Sequence, residues 1–185
     1  MILHTGGAKG ADYYFAKYAL KCDIQVYVHS FIEAHVYEIY KMNVIRHSES
    51  TLNEAYEACN KACRTLYRRL PNNRYCRNLI LRDYFQIKDS NCVFAVAEFE
   101  NETIVKGGTG WAIEMAKNNK IPVFIYSEIN SRWYKFNYQK YKFVAKEKLP
   151  PNGFMQRLSF DNITGIGSRN ISENGMKEIE RIIIK

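Results

Sequence analysis

Three short apolar segments of this chain each end in a glycine-containing loop that leads into a helical stretch. The loops lie at 5–10 (TGGAKG), 107–110 (GGTG) and 165–169 (GIGSR). The first belongs to a strand, loop, helix, strand order, because ILHT precedes it and the alternating, β-branched segment 24–30 (IQVYVHS) follows the helix. Such a βαβ unit implies a parallel sheet with a right-handed crossover. We therefore predict an α/β fold, Rossmann-like and doubly wound, with a mainly parallel sheet and helices on both faces.

Periodicity places the other elements. Five strands are predicted, at 2–5, 24–30, 92–99 and 121–127 and within 160–170, where a strand runs into the third loop. Helices are predicted at 10–22, from 50 to the break at Pro71, and at 74–88, 109–118 and 173–185. Residues 31–50 are predicted to be loop with a helical turn, and aromatic residues alternating with lysines favour a hairpin or irregular edge at 131–150.

Length and composition favour one intracellular domain that covers 1–185. No apolar run approaches the ~20 residues of a membrane helix, and the first residues lack the features of a signal peptide. We therefore expect a cytoplasmic protein without a membrane partner. The five cysteines form no CxxC pair, so we expect buried thiols and no metal or cofactor. The net charge of +8 suits a nucleotide, nucleic acid or phosphorylated metabolite.

In an open parallel sheet all three loops lie at the carboxyl edge, where ligands bind. Glycine lets the backbone approach a phosphate, and the helix N-terminus behind it offers free N–H groups and partial positive charge. A tight turn would explain one such loop, but three on one edge favour phosphate binding. Arg169 is a candidate phosphate ligand, and Ser30 follows the second strand to the same edge. Trp111 could stack on a base or belong to the core.

The segment TGGAKGAD (5–12) resembles loops of the SLOG superfamily. This Rossmann-like group includes the cytokinin-activating LOG phosphoribohydrolases, lysine decarboxylase-like proteins and DNA-processing protein A. GGTGWAIE (107–114) is similar to the PGGxGTxxE signature of LOG enzymes. Lys106 replaces the proline of that signature, and Trp111 replaces its threonine.

The resemblance implies roles for individual residues. Glu114 matches the catalytic glutamate of LOG enzymes, and Arg77 is the best match to their catalytic arginine, with Arg82 as the second choice. Together, the loops and the resemblance predict ligand binding by Thr5, Gly6, Gly7, Ala8, Gly10, Asp12, Ser30, Asn78, Gly107, Gly108, Thr109, Gly110, Trp111, Gly167, Ser168 and Arg169.

The order of the motifs differs from that of most SLOG proteins, in which a GSR strand precedes the GGAxGAD strand. Here Gly167-Ser168-Arg169 lies near the end of the sequence, so the order resembles a circular permutation. This predicts that Lys185 lies near Met1. A dimer that exchanges the last strand and helix is the alternative.

Three functions are compatible with these features. The first is a nucleotide-binding enzyme that hydrolyses the N-glycosidic bond of a nucleoside monophosphate or an ADP-ribose-like nucleotide. The second is a non-catalytic binder or sensor of a signalling nucleotide. Single-stranded DNA binding, supported by the positive charge, ranks last. Many proteins of this superfamily pair, so a homodimer is expected.

Overall fold

The computed structural model describes residues 1–37, 39–146 and 150–184, and within these ranges the chain forms eight strands and seven helices. The strands are β1 (Ile2–Thr5), β2 (Gln25–Phe31), β3 (Asn43–His47), β4 (Cys92–Val96), β5 (Val123–Ser127), β6 (Arg132–Asn137), β7 (Lys142–Ala145) and β8 (Asn162–Gly167). The helices are α1 (Ala11–Lys21), α2 (Glu49–Asn53), α3 (Tyr56–Leu66), α4 (Arg74–Ile87), α5 (Thr109–Asn118), α6 (Phe154–Arg157) and α7 (Glu173–Ile183).

All eight strands form one sheet in the order β3-β2-β1-β8-β4-β5-β6-β7. The first six are parallel, while β6 and β7 form an antiparallel hairpin at one edge. From β1 the chain winds outward to β2 and β3, and from β4 it winds the other way to β5. The direction of winding therefore changes around β8, which is where an open α/β sheet forms its ligand crevice.

Helices cover both faces of the sheet. Helices α1 and α7 pack together on one face, and α3, α4 and α5 pack together on the other. Each face has its own apolar core; Phe15 and Ile179 belong to one, and Leu81 and Ile113 to the other. The predicted Rossmann-like α/β fold is confirmed. No helix within the described ranges is long and apolar enough to cross a membrane.

The strand β8 accounts for the unusual order of the motifs. It pairs with β1 and β4 of its own chain, between the strands of the first and second glycine loops. Strand β8 and helix α7 thus occupy the place that a first βα unit has in a sheet with order 3-2-1-4-5. The predicted proximity of Lys185 to Met1 concerns a residue outside the described ones.

The prediction was wrong at one edge of the sheet and agrees with the structure at the other. Residues 31–50 were predicted to be loop, but β3 (Asn43–His47) pairs with β2 in parallel. This strand is short and mostly solvent-facing, so it lacks the apolar run that marks the central strands. At the opposite edge, where a hairpin or an irregular edge was predicted for 131–150, β6 and β7 form a hairpin.

Candidate functional site

The three glycine loops meet at the carboxyl edge of β1, β8 and β4. They surround a cavity of about 490 Å³, which is in the range of small-molecule sites. We call it the phosphate cavity, after the ligand that the sequence predicts for the three loops. Its lining residues are Ala8, Lys9, Asp12, Leu79, Ile80, Arg82, Asp83, Glu98, Lys106, Gly107, Gly108, Thr109, Ile166, Gly167, Ser168, Arg169 and Asn170.

The first and third loops are packed directly against each other. Gly10 has a φ of 97°, and a Cβ there would overlap the carbonyl oxygens of Ser168 and Arg169. The N–H of Ala11 donates to the Ser168 carbonyl at 3.0 Å. Gly10 thus combines a left-handed conformation with a close approach of two backbones, and both requirements favour glycine.

The Asp12 carboxylate accepts hydrogen bonds from both the first and the third loop. Its Oδ1 accepts from the N–H of Gly167 at 3.1 Å, and the backbone of Gly6 and Ala8 also donates to its carboxylate. Asp12 is only 3% exposed. Burial raises its pKa, while the Arg82 charge and these backbone donors act in the opposite direction.

Arg82 lies beneath the first loop between two buried carboxylates. Its guanidinium occupies the space that a Cβ at Gly6 would need. Its Nη1 lies 3.6 Å from Asp12 Oδ2, and its Nε lies 3.3 Å from Asp83 Oδ1. Gln86 Nε2 also donates to Asp83 Oδ1, at 2.9 Å. Burial raises the pKa of Asp83 to about 7, partly opposed by the Arg82 charge.

The space beside Gly107 and Gly108 of the second loop is open, whereas other atoms fill the space beside the glycines of the first loop. A Cβ at Gly107 or Gly108 would have no described atom within 4 Å. Arg68 supports the loop by donating to the carbonyl of Gly107 at 3.1 Å and to that of Val105 at 3.3 Å. Gly108 is the N-cap of α5 and has no side-chain cap. The open backbone therefore leads into the positive end of a helix dipole.

Of the predicted ligand residues, eight line the phosphate cavity: Ala8, Asp12, Gly107, Gly108, Thr109, Gly167, Ser168 and Arg169. Arg82, the second choice for the catalytic arginine, also lines it. Gly6 and Ser30 line an adjoining cavity, and Gly10 lines a third.

Other predicted residues are buried beside the loops. Thr5 Oγ1 donates to the Asp12 carbonyl at 3.3 Å, and Gly7 faces Val28 and Val36. Gly110 lies against the Val105 carbonyl. These residues shape the loops from behind and do not line the phosphate cavity.

Glu114 and Trp111 lie behind the second loop. Glu114 Oε2 accepts from Lys117 Nζ at 2.7 Å, both side chains are almost fully buried, and Lys117 lies over the Phe136 ring. Trp111 is 9% exposed, and its Nε1 donates to Cys63 Sγ at 3.2 Å. Glu114 therefore faces the β6–β7 hairpin, and Trp111 faces α3.

Arg77 and Asn78 lie on α4 outside the phosphate cavity. Arg77 Nη1 donates to the Asn72 carbonyl at 3.3 Å, and Asn78 is 5% exposed. On the same helix, Arg82 reaches the cavity. The structure therefore brings the second-choice arginine, and not Arg77, to the three loops.

Several charged residues of the cavity were missing from the predicted set, including Lys9, Asp83, Glu98 and Lys106. Lys9 belongs to the first glycine loop and Lys106 directly precedes the second, so their position in the sequence was a usable signal. Glu98 follows β4; its carboxylate accepts from Ser127 Oγ and from the N–H of Glu128, both at 2.7 Å.

Three histidines form a ladder across β1, β2 and β3, in which His29 and His47 are buried and His4 is half-buried. His29 Nε2 lies 2.9 Å from His4 Nδ1, and His29 Nδ1 lies 3.1 Å from His47 Nε2. Burial, helped by the neighbouring His4, His47, Arg82 and Lys88, lowers the pKa of His29 to about 3. His29 is therefore neutral at pH 7, and burial also lowers the pKa of His4 and of His47.

We find no matching protein-family model, curated protein or solved structure for this chain. The described residues also contain no cluster of three or more histidine, cysteine, aspartate or glutamate side chains that could hold a metal ion. The phosphate cavity is therefore interpreted from its own geometry.

Proposed function

We propose that this chain binds a phosphorylated nucleoside at the carboxyl edge of its sheet, as its resemblance to SLOG proteins implies. The observation that carries the proposal is the open backbone at Gly107–Gly108, which faces a cavity also lined by Lys9, Lys106 and Arg169. A phosphate in this space would meet the N-terminus of α5 and side-chain cations. A homodimer and a cytoplasmic location remain predictions.

Titration calorimetry with ribose 5-phosphate tests this proposal. We expect Arg169→Gln to weaken binding about tenfold or more, since a charge-assisted hydrogen bond contributes about 1.5–3 kcal/mol. Arg69→Gln is the matched control, because Arg69 is also exposed but does not line the cavity. Equal affinities of the wild type and Arg169→Gln, or no binding to the wild type, would contradict the proposal.

A second candidate function is hydrolysis of an N-glycosidic bond. The bond between C1′ and the base nitrogen of a nucleoside monophosphate would break as a water oxygen bonds to C1′, and one proton of that water would pass to the base, giving ribose 5-phosphate and the free base. Asp83 favours this function, because it is a buried carboxyl that lines the phosphate cavity and has a pKa raised to about 7. A carboxyl with such a pKa is suited to proton transfer near neutral pH.

Chromatography of nucleoside monophosphates incubated with the protein tests this second function. We expect release of a free base that Asp83→Asn abolishes while ribose 5-phosphate still binds. Glu114→Gln should retain release, because Glu114 lies outside the cavity lining in a pair with Lys117. No release by the wild type would leave only the binding function. If Asp83→Asn retained release and Glu114→Gln abolished it, the catalytic residue would be Glu114.

A further inference from the structure

A second cavity, of about 410 Å³, adjoins the phosphate cavity on the side of β2. The two cavities share the lining residues Ala8, Lys9, Arg82 and Arg169. They therefore adjoin each other at a group of three cationic side chains. The rest of the second cavity differs in character, because three aromatic side chains line it.

Two tyrosines of the second cavity are held in place but remain partly exposed. Tyr37 and Tyr75 are 41% and 40% exposed. The N–H of Tyr37 donates to the Gly7 carbonyl at 2.9 Å, which ties its segment to the first glycine loop. The His35 ring packs edge-on against Tyr37, with centroids 4.7 Å apart. Phe31 packs in the same manner against Tyr75, at 5.4 Å. Rings held in this way offer surface for stacking at low entropic cost.

Ser30 contributes a buried polar atom that the protein leaves without a partner. Its side chain is 2% exposed and lines the second cavity. Its Oγ has no hydrogen-bond partner among the described residues. Leaving a buried hydroxyl unsatisfied is unfavourable, so a polar atom of a ligand in this cavity would complete the bonding of Ser30.

We infer that the second cavity binds the base of the nucleotide whose phosphate lies at the second glycine loop. Tyr37 and Tyr75 stack on the base, and Ser30 forms a hydrogen bond with its edge. This inference rests on the proposed function, because the phosphate fixes one end of the ligand. Stacking tolerates any base, whereas the Ser30 hydroxyl, as donor or acceptor, adapts to either type of group on the base edge.

Titration calorimetry with ribose 5-phosphate and the four common nucleoside 5′-monophosphates tests the inference. We expect at least one monophosphate to bind at least about tenfold more tightly than ribose 5-phosphate, which is the size of one stacking contact. Tyr37→Ala should remove most of this advantage and leave ribose 5-phosphate binding unchanged. Ser30→Ala should weaken the same monophosphate several-fold without lowering the melting temperature. Tyr67→Ala is the control, because Tyr67 is 93% exposed and lines neither cavity.

The outcomes separate this inference from the function on which it rests. If ribose 5-phosphate binds and no monophosphate binds more tightly, the base site is excluded and the phosphate site stands. The same conclusion follows if Tyr37→Ala and Ser30→Ala bind the preferred monophosphate as the wild type does. If neither ribose 5-phosphate nor any monophosphate binds, both proposals fail.

Discussion

The first and second glycine loops are similar in composition but have opposite surroundings. At Gly6 and Gly10 the space beside the backbone is filled, by the Arg82 guanidinium and by the carbonyls of the third loop. At Gly107 and Gly108 the corresponding space holds no described atom within 4 Å. Glycine in the first loop thus allows the chain to pack against itself, whereas in the second it leaves backbone exposed to the cavity.

Because of this difference, we expect one region of the site to contribute mainly to stability and the other mainly to binding. Beneath the first loop lies a buried cluster of charged side chains, Asp12, Arg82 and Asp83, which holds the loop in position. The second loop presents backbone to solvent at the N-terminus of α5. Substitutions in the first region should therefore lower the free energy of unfolding, and substitutions in the second should mainly affect binding. The predictions below are ordered by their expected effect on that free energy.

Arg82→Met should have the largest effect on stability. It leaves Asp12 and Asp83 buried without their cation, and removing one partner of a buried ion pair costs about 3 kcal/mol or more. Chemical denaturation at pH 7 would measure the loss. Arg74→Met is the matched control, because Arg74 pairs with exposed Glu49 and should change stability by less than about 1 kcal/mol. Similar losses in both variants would show that the buried cluster has no special role.

Gly10→Ala should destabilise the protein by about 2 kcal/mol, because it combines backbone strain at positive φ with an overlap against the third loop. The same denaturation experiment applies. Gly153→Ala provides a comparison, since Gly153 has a φ of 64° but lies outside the three loops. If Gly10→Ala costs no more than Gly153→Ala, the contact between the first and third loops contributes little.

The fold and the meeting of the three loops could be predicted from the sequence, because each depends on local signals. Glycines and apolar runs mark where strands end, and parallel strands bring those ends to one edge. The prediction at 109–118 agrees with α5 (Thr109–Asn118). Strand β3 was missed because its solvent-facing residues carry little periodicity.

The choice between Arg77 and Arg82 depends on how α4 is rotated against the sheet, which no local motif gives. The usable signal was a row of polar residues at intervals of four, Asn78, Arg82 and Gln86, all of which are buried. The contacts of Glu114 could not be predicted from the sequence for a similar reason. A signature fixes its distance along α5, but the packing of the β6–β7 hairpin decides what it contacts.

A pH titration tests the comparison further, because His29 and Asp83, whose pKa values are strongly shifted, both lie next to Arg82 on the side of the first loop. The pKa of His29 is about 3 when folded and ordinarily 6.5. The unfolded chain therefore gains a proton below pH 6.5 that the folded chain does not, and stability falls as the pH decreases. Asp83 acts in the opposite direction, because its raised pKa favours the folded state at low pH.

Asp83 is present in both the wild type and His29→Gln, so its contribution cancels when the pH dependence of their free energies of unfolding is compared. We expect the wild type to lose about 2 kcal/mol more than His29→Gln between pH 7 and pH 5. Denaturant titrations at several pH values would measure this difference, with His35→Gln, an exposed histidine, as control. If the free energies of unfolding of the wild type and His29→Gln changed with pH in parallel, protonation of His29 in the folded protein would have no free-energy cost.

Gly108→Ala should have the smallest effect on stability and therefore gives the sharpest contrast with Gly10→Ala. Gly108 has a φ of −62° and a ψ of −38°, which alanine adopts readily, so the free energy of unfolding should change by less than about 1 kcal/mol. The added methyl group would nevertheless project into the space assigned to the phosphate. We expect ribose 5-phosphate affinity, measured by calorimetry, to fall about tenfold. A variant that is stable and also binds like the wild type would show that the ligand does not approach the second loop, because only occupancy of that space makes the methyl group unfavourable.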